Sequence, residues 1–435
     1  MTDLTCLGGF AEELVSGNKM ILLTNDGGWC WFSDPRAIVH AGKTWSGWIT
    51  ENGSVQAATL DHSTGTVATS TLHLHYERDD HDHPAFVALP DGRVTAYYAR
   101  HGREPVLHQR TTTRPGDPSE WDPEVEIRPV DSSPRSTNVT YANPFLLSSE
   151  KNRLYLFFRG HSFKPTFMTS DDLGRTWSEA RVLVSPSGFP PGNRPYAKFA
   201  SNGSDSIHIV FTDGHPISEP FNGVYYLLYR DRAFYKADGT RIAAIDDLPV
   251  CPGQADVIYN AAQTGVRSWL WDVAFDHNNH PVVVYTRLPS GDDHRYHYAR
   301  WTGSEWLDRE LCAGGGWFPT SRSGEKETEP YYSGGLALDP DDPSTVYLTR
   351  PVKGIRELER WETADGGRTW SSEAITTGSR TDNVRPFVPR GSSAGGPHVL
   401  WQQNAGRYIH YTDYRASIKA FLPATGPTEW QPQRR

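Results

Sequence analysis

TSDDLGRTW at residues 169–177 and TADGGRTW at residues 363–370 are two copies of one pattern, Ser/Thr-x-Asp-x-Gly-x-Thr-Trp, set far apart in the chain. An aspartate that accepts nearby backbone N–H groups, a glycine free to take a left-handed backbone and a closing tryptophan describe a tight, anchored turn. This is the Asp-box, whose Asp and Trp pin a hairpin at the outer edge of a repeated unit; its role is structural and it carries no catalytic weight. Weaker copies are AGKTW, ending at Trp45, and TGSEW, ending at Trp306, while Trp121 in DPSEWDPEV and Phe234 in YRDRAFYKADGT hold similar points of their own segments. The marks recur irregularly, about every sixty residues.

Between the marks run NRLYLFFRG, SIHIVFTDG, HPVVVYTRL, STVYLTRPV and HVLWQQN. Each has the alternation of a strand and ends on Gly, Asp or Asn turn residues. Helical periodicity of useful length is nearly absent. Gly (39) and Pro (32) are abundant while Met (3) and Cys (4) are scarce, which suits short strands and tight turns rather than packed helices. Many short strands with a recurring turn predict an all-β fold, a β-propeller of four-stranded blades. A chain of 435 residues at that period holds roughly seven of them. No Ser/Pro-rich linker divides it, so residues 1–435 are read as one catalytic propeller domain.

Composition excludes several classes. With 12% aromatic residues and 15 Trp the chain is not disordered. A net charge of −9 argues against a nucleic-acid partner, without excluding an anionic substrate at a locally basic site. No apolar run is long enough to span a bilayer, so no membrane partner is expected. The first 25 residues lack the pattern of a secretion signal, which reads as a cytoplasmic protein or one that starts after a removed leader. Cys6, Cys30, Cys251 and Cys312 match no zinc-finger spacing and read as four buried free thiols, one or two disulfides being the alternative.

In propellers, function gathers on loops at the channel mouth. The polar candidates there are His81 and His83 in DDHDHPAF, His101 in YYARHG, Tyr141 with Asn138 and Asn143 in TNVTYANPF, and Arg159 in LFFRG. Further along stand Arg194 and Tyr196 in GNRPYAKFA, His215 in FTDGHP, Trp271 and Asp272 in WLWDVAF, and His294 and His297 in DDHRYHYARW. For most of these a plain structural reading exists. Tyr141 and Tyr196 read equally as core tyrosines, and Arg194 as a turn residue. Arg159 stands out: it ends an apolar run, where a lone charge is costly without an anionic partner.

Taken in order, WCWFSDPRAIV, DDHDHPAF, YYARHG, VTYANPF, LFFRG, RPYAKFA, FTDGHP, SWLWDVAFD, DHRYHYARW, YYSGGLALDP and ERWETADGGRTW resemble the seven-bladed β-propeller polysaccharide lyases, a group that includes ulvan lyases and rhamnosyl-α-1,4-glucuronate lyases. The resemblance runs from about residue 25 to about residue 375. It implies β-elimination at O4 of a uronate, giving a C4–C5 unsaturated product, with His81, His101 and Tyr141 catalytic and Arg159, Arg194, Tyr196 and His215 binding substrate. His81 and Tyr141 are expected to make the proton transfers. Either Tyr141 acts as a phenolate oriented by His81 and His101, or His81 is base and Tyr141 acid. His83 is expected to be structural. Asp82 departs from the asparagine expected after the first histidine, and either raises a neighbouring imidazole's pKa or points to solvent.

No cofactor is implied for the chemistry. Some relatives carry a structural divalent cation, for which His208, His215 and Cys251 are the candidate ligands here, although satisfied histidines are the plainer reading. The implied partner is a uronate-containing polysaccharide or oligosaccharide, the implied state a monomer, and the implied location secreted or periplasmic. Between gum-arabic side chains and ulvan, the compact single propeller leans to an exo-acting rhamnosyl-glucuronate lyase. The alternatives are a hydrolase or a non-catalytic glycan-binding propeller. The hydrolase would be an α-L-rhamnosidase, which in a sister family of this fold works from the opposite face, or a sialidase, whose Arg-Ile-Pro motif is missing at SDPRAIV.

Overall fold

In both strong copies of the turn the aspartate makes the same bonds. Asp172 Oδ1 accepts from the N–H groups of Arg175 (3.1 Å) and Thr176 (2.8 Å), and Oδ2 from the Thr176 hydroxyl (2.6 Å). Asp365 does the same with Arg368 (2.9 Å), Thr369 (2.8 Å) and the Thr369 hydroxyl (2.7 Å). Gly174 and Gly367 take φ of +88° and +90°. A Cβ would lie 2.7 Å from the Tyr97 hydroxyl in the first and 2.9 Å from Tyr298 Cδ1 in the second. Trp177 and Trp370 pack edge-on against those same tyrosines. Each box therefore closes the third-to-fourth-strand hairpin of one blade and fastens it to the blade before.

The computed structural model describes residues 18–130, 138–190, 192–318, 332–391 and 396–422, with the backbone of Thr5–Leu7 and Ala11–Glu13. Its strands form seven antiparallel sheets, the seven blades of a β-propeller. The first, innermost strands are Ala37–His40, Ala85–Ala88, Thr140–Leu147, Ala197–Ser201, Arg267–Phe275, Leu336–Leu338 and Asn383–Phe387 for blades one to seven. In blades one to six the next three strands pair outward in chain order, Thr5–Leu7 adding to the edge of blade one and Asp256–Tyr259 pairing back onto the third strand of blade four. Blade seven is completed by the other end of the chain: Lys19–Thr24 pairs with Asp413–Leu422, starting at Lys19↔Leu422. The ring is thus closed by backbone hydrogen bonds between its two termini. Among the described residues the only α-helix is the single turn Ala261–Thr264.

One mark in the sequence misleads. Trp121, Phe234 and Trp306 lie at or just after the third-to-fourth-strand turn of their blades, but Trp45 sits inside the second strand of blade one, Lys43–Ile49. The corresponding turn of that blade follows Asp61, whose Oδ1 accepts from Ser63 N–H (3.0 Å) and Thr64 N–H (3.1 Å). It keeps the aspartate and has lost the tryptophan. Cys30 is buried, whereas Cys251 and Cys312 are only half-buried; all three are free thiols, and Cys6 lies outside the described side chains.

The segment from Gly27 to Arg36 runs into the centre of the ring. Trp29, Cys30 and Trp31 are fully buried there. Trp31 stacks on Trp271 at 4.4 Å and donates its indole N–H to Leu270 O in blade five. Cys30 N–H donates to Asp80 O before blade two, and Asp34 N–H to Asn143 Oδ1 in blade three. Asp34 also pairs with Arg36 (3.0 Å) and Lys198, all buried. This segment fills the channel and forms the floor beneath the site described next.

Candidate active site

In an antiparallel blade the start of the first strand and the end of the second lie at the same edge. His81 precedes the first strand of blade two and His101 follows its second. Tyr141 and Arg159 hold the equivalent positions in blade three, and Arg194 with Tyr196, then His215, in blade four. Topology alone therefore brings all seven sequence candidates to one face.

Asp79 caps the short 3₁₀ turn Asp80–Asp82 and accepts from His81 N–H (3.0 Å). The same Oδ1 accepts from His81 Nδ1 at 2.7 Å, and Oδ2 accepts from His101 Nδ1 at 3.1 Å. The two imidazoles stack with centroids 4.0 Å apart and planes 12° from parallel. A carboxylate shared in this way puts a proton on Nδ1 of both rings and leaves both Nε2 atoms for other work. Burial works against charge on His81. The bonded Asp79 carboxylate acts the other way and holds it well above its ordinary value. Burial and the charge on His81 press His101 down to about 4. The pair is one imidazolium and one neutral imidazole.

Tyr141 owes its position to a bulge. The pairing of Thr140–Leu147 with its neighbour slips between Thr140 and Asn143, and Tyr141 sits there at φ +64°. A tyrosine in the left-handed region is strained and persists only where its surroundings hold it. Asn143 does so, donating to Tyr141 O and Phe32 O, both at 3.0 Å. The ring lies 5.7 Å from that of His81 and 6.1 Å from that of His101. Burial, the neighbouring Tyr196 and Cys30 raise its pKa well above the ordinary value, against the pull of His81 and Arg159. Burial thus favours the phenol form of Tyr141 in the free protein.

Arg159, 8% exposed, donates to the Tyr196 hydroxyl (2.8 Å) and the Thr140 hydroxyl (3.4 Å), with its guanidinium 4.9 Å from the Tyr141 ring. Among the described residues no carboxylate pairs with it. Arg159 and Arg194 lie 5.7 and 5.5 Å from the exposed ring of Phe163. His215 packs on Tyr196 and Trp269. Its Nδ1 accepts from Ile217 N–H (3.2 Å), which places the proton of the neutral ring on Nε2. Burial, with Arg194 and Arg159, lowers its pKa to about 3, so it is a neutral donor.

Several parts of this site escape sequence reading. Arg385, on a bulge of blade seven at φ +53°, donates to Asp80 Oδ2 (2.6 Å) and to Tyr408 (2.7 Å), and Tyr408 in turn donates to Asp80. Tyr411 from the same blade packs edge-on against His81 at 4.8 Å and His101 at 5.3 Å. The only signal in the sequence is the density of tyrosine and histidine in YIHYTDY.

Other candidates fall elsewhere. His83 is fully buried, bonds weakly to Pro84 O (3.3 Å), and is kept neutral by burial and Arg36, its pKa near 3. It caps the C-terminal end of the helical turn Asp80–Asp82 that holds His81. Asp82 does not point to solvent: it is fully buried, neither oxygen has a partner among the described residues, and burial with the Asp79 charge raises its pKa. His208 spends both ring nitrogens on Tyr226 (2.8 Å) and Asn279 (3.0 Å), and is not gathered with His215 and Cys251. His294 bonds to Ser333 and His297 to Asp308 in blade five. Sets that would fit a metal ion are Asp79–His81–His101 and Cys30–Asp80–His81 at this site, and His73–His108–Glu124 apart from it.

The sequence matches the model of the BNR repeat-containing family over residues 43–313. No curated protein matches it. Among solved structures, a polysaccharide lyase, the PL25 ulvan lyase bound to -[GlcA(1-4)Rha3S]-, aligns with a TM-score of 0.68 at 14% identity, over 94% of this chain and 95% of that one. The same lyase without that ligand gives 0.67 at 15% over the same shares. Polysaccharide lyase Uly1 gives 0.56 at 12%, over 90% of each chain. At these identities the likeness is one of fold.

Proposed function

The chain belongs to the BNR repeat-containing family, and we propose that it is a polysaccharide lyase acting at L-rhamnosyl-α-1,4-D-glucuronate linkages by β-elimination. The observation that carries this reading is the buried Arg159, without a carboxylate partner among the described residues, beside a neutral histidine and a protonated tyrosine. The resemblance of the motifs to rhamnosyl-glucuronate and ulvan lyases, and the fold shared with an ulvan lyase, support it.

H5 of a uronate is barely acidic while the adjacent carboxylate keeps its charge. A guanidinium binds that carboxylate through two oxygens, and His81 as imidazolium adds a second donor. Both stabilise the charge that moves onto the carboxylate as H5 leaves. His101 takes H5 through Nε2. The C5–H electron pair forms the C4=C5 bond, the C4–O4 bond breaks, and O4 takes the proton of Tyr141. Solvent then returns a proton to Tyr141 and removes one from His101. In a gluco-configured uronate H5 and O4 leave from the same side of the ring, which suits His101 and Tyr141 standing together. This assignment gives the base role to His101, where the sequence left it open between His81 and Tyr141.

The test is incubation with gum arabic and, separately, ulvan, following the ultraviolet absorbance of the unsaturated uronate. Absorbance growing with time supports the lyase. Free sugar without absorbance would make it a hydrolase, and neither product a binding protein.

A further inference from the structure

Between blades one and two, away from the proposed lyase centre, three donors converge. His73 ends the fourth strand of blade one, His108 lies in the third strand of blade two, and Glu124 precedes its fourth. Glu124 Oε2 accepts from His73 Nδ1 at 2.7 Å and Oε1 from His108 Nδ1 at 3.0 Å. All three ligand atoms lie within 4.8 Å of one another. His108 is buried, while His73 and Glu124 are 30% and 25% exposed, so an ion has a way in.

We propose that His73, His108 and Glu124 bind a divalent transition-metal ion that clamps blade one to blade two. Two imidazoles and one carboxylate are a borderline donor set, suited to zinc, cobalt or nickel rather than to magnesium or calcium, which take oxygen ligands. A second observation points the same way. His108 faces a carboxylate at each ring nitrogen, with Nε2 3.2 Å from Glu104 Oε1. An imidazolium donates to both, and the two carboxylates favour that form against its burial; a neutral ring donates to one only. With a metal on Nδ1 the ring keeps one proton, on Nε2, and gives it to Glu104, the outer-shell arrangement that orients ligating histidines. The carboxylates are held in turn: the Tyr98 hydroxyl donates to Glu124 Oε2, and that of Tyr76 to Glu104 Oε1 at 3.2 Å. Binding displaces the protons that bridge each Nδ1 to Glu124, so it weakens as pH falls.

The experiment uses the full chain without a histidine tag, stripped with chelator and titrated with Co²⁺ while visible absorption is recorded. One equivalent is expected to give ligand-field bands that Zn²⁺ abolishes, with Zn²⁺ raising Tm. His73→Gln, at the exposed rim, and Glu124→Gln each remove the bands, with circular dichroism confirming the fold. His81→Gln, which breaks both competing donor sets, leaves them. Absence of bands together with a Tm indifferent to Zn²⁺ overturns the proposal. Bands that survive His73→Gln but vanish in His81→Gln overturn it as well, by moving the ion to the lyase centre.

Discussion

Asp79 divides its carboxylate between two stacked histidines, Oδ1 to His81 at 2.7 Å and Oδ2 to His101 at 3.1 Å. One group thereby sets two tautomers, and the repulsion between stacked rings keeps only one of them charged. Asp79→Asn keeps the shape and removes the charge. The amide donates on one side, so one imidazole must turn its proton to Nε2. Loss of at least ~10²-fold in kcat is expected, since an orienting carboxylate of this kind fixes the working tautomer. Measured beside a circular dichroism control, activity within threefold of wild type would remove Asp79 from the machinery.

Arg159→Ala should abolish turnover, and Arg159→Lys should restore little of it. An ammonium lacks the planar fork that grips two carboxylate oxygens side by side while a further N–H bonds the Tyr196 hydroxyl. Steady-state kinetics on the uronate substrate decide this: a Lys variant with wild-type kcat shows that Arg159 does not neutralise the substrate carboxylate.

Trp177→Ala and Trp370→Ala should lower Tm and leave the activity of the folded fraction intact, because each ring joins neighbouring blades at the rim. Both rings are half-buried, so the cost falls short of the roughly 3–5 kcal/mol seen for fully buried aromatics. An unmoved Tm in both variants would leave the Asp-boxes without their fastening role.

What the sequence made legible follows from the range of the interactions involved. The Asp-box is readable because all its bonds lie within a few residues, as from Asp172 to Thr176. Its degenerate copy after Asp61 was missed because the apolar half of the signal, the tryptophan, is gone. The seven site residues converge because strand ends alternate between faces, a rule that needs only the strands. The channel segment around Trp31 and the Asp80–Arg385 pair follow no such rule. Partners 305 residues apart meet only once the ring has closed, and nothing local to either names the other. The protonation states were also hidden: burial sets them for Tyr141 and Asp82, and burial is a property of the fold.

Stability should climb with pH between about 4 and 6.5. Burial lowers the folded-state pKa of His83 and His215 to about 3, and of His101 and His208 to about 4. For each, the unfolded chain binds a proton that the native state refuses, so stability is full above the ordinary value of 6.5 and is lost as pH falls. Asp80, lowered to about 2 against its burial by Arg385 and His81, adds a loss of the same sign at lower pH. His81, raised, acts oppositely: its contribution is full below 6.5 and declines as pH rises through its folded value. His208→Gln removes one of the neutral buried rings away from the site and should flatten the slope. A Tm level across this range in the wild type would contradict the neutral assignment.

The decisive comparison is among four single variants, His81→Ala, His101→Ala, His83→Ala and Tyr141→Phe, assayed for the unsaturated product beside a folding control. In the proposed mechanism His101 is the base because it is the neutral member of the pair, and Tyr141 the acid because burial keeps its proton. Removing either should cost at least ~10²-fold in kcat. His81→Ala should also lose activity, through the lost imidazolium and through its partner. Without the neighbouring charge His101 titrates higher, so the acid limb of residual activity should move up in pH. Among the described residues His83 has a hydrogen bond to Pro84 O alone, so the folded His83→Ala protein should turn over near the wild-type rate. The pH profile separates the two mechanisms still in contest. With His101 as base and Tyr141 as acid, activity rises as His101 loses its proton and holds through neutrality. With a Tyr141 phenolate as base, activity would keep rising into the alkaline range. A profile of the second kind, or a His101→Ala enzyme near wild type, would return the proton abstraction to another group.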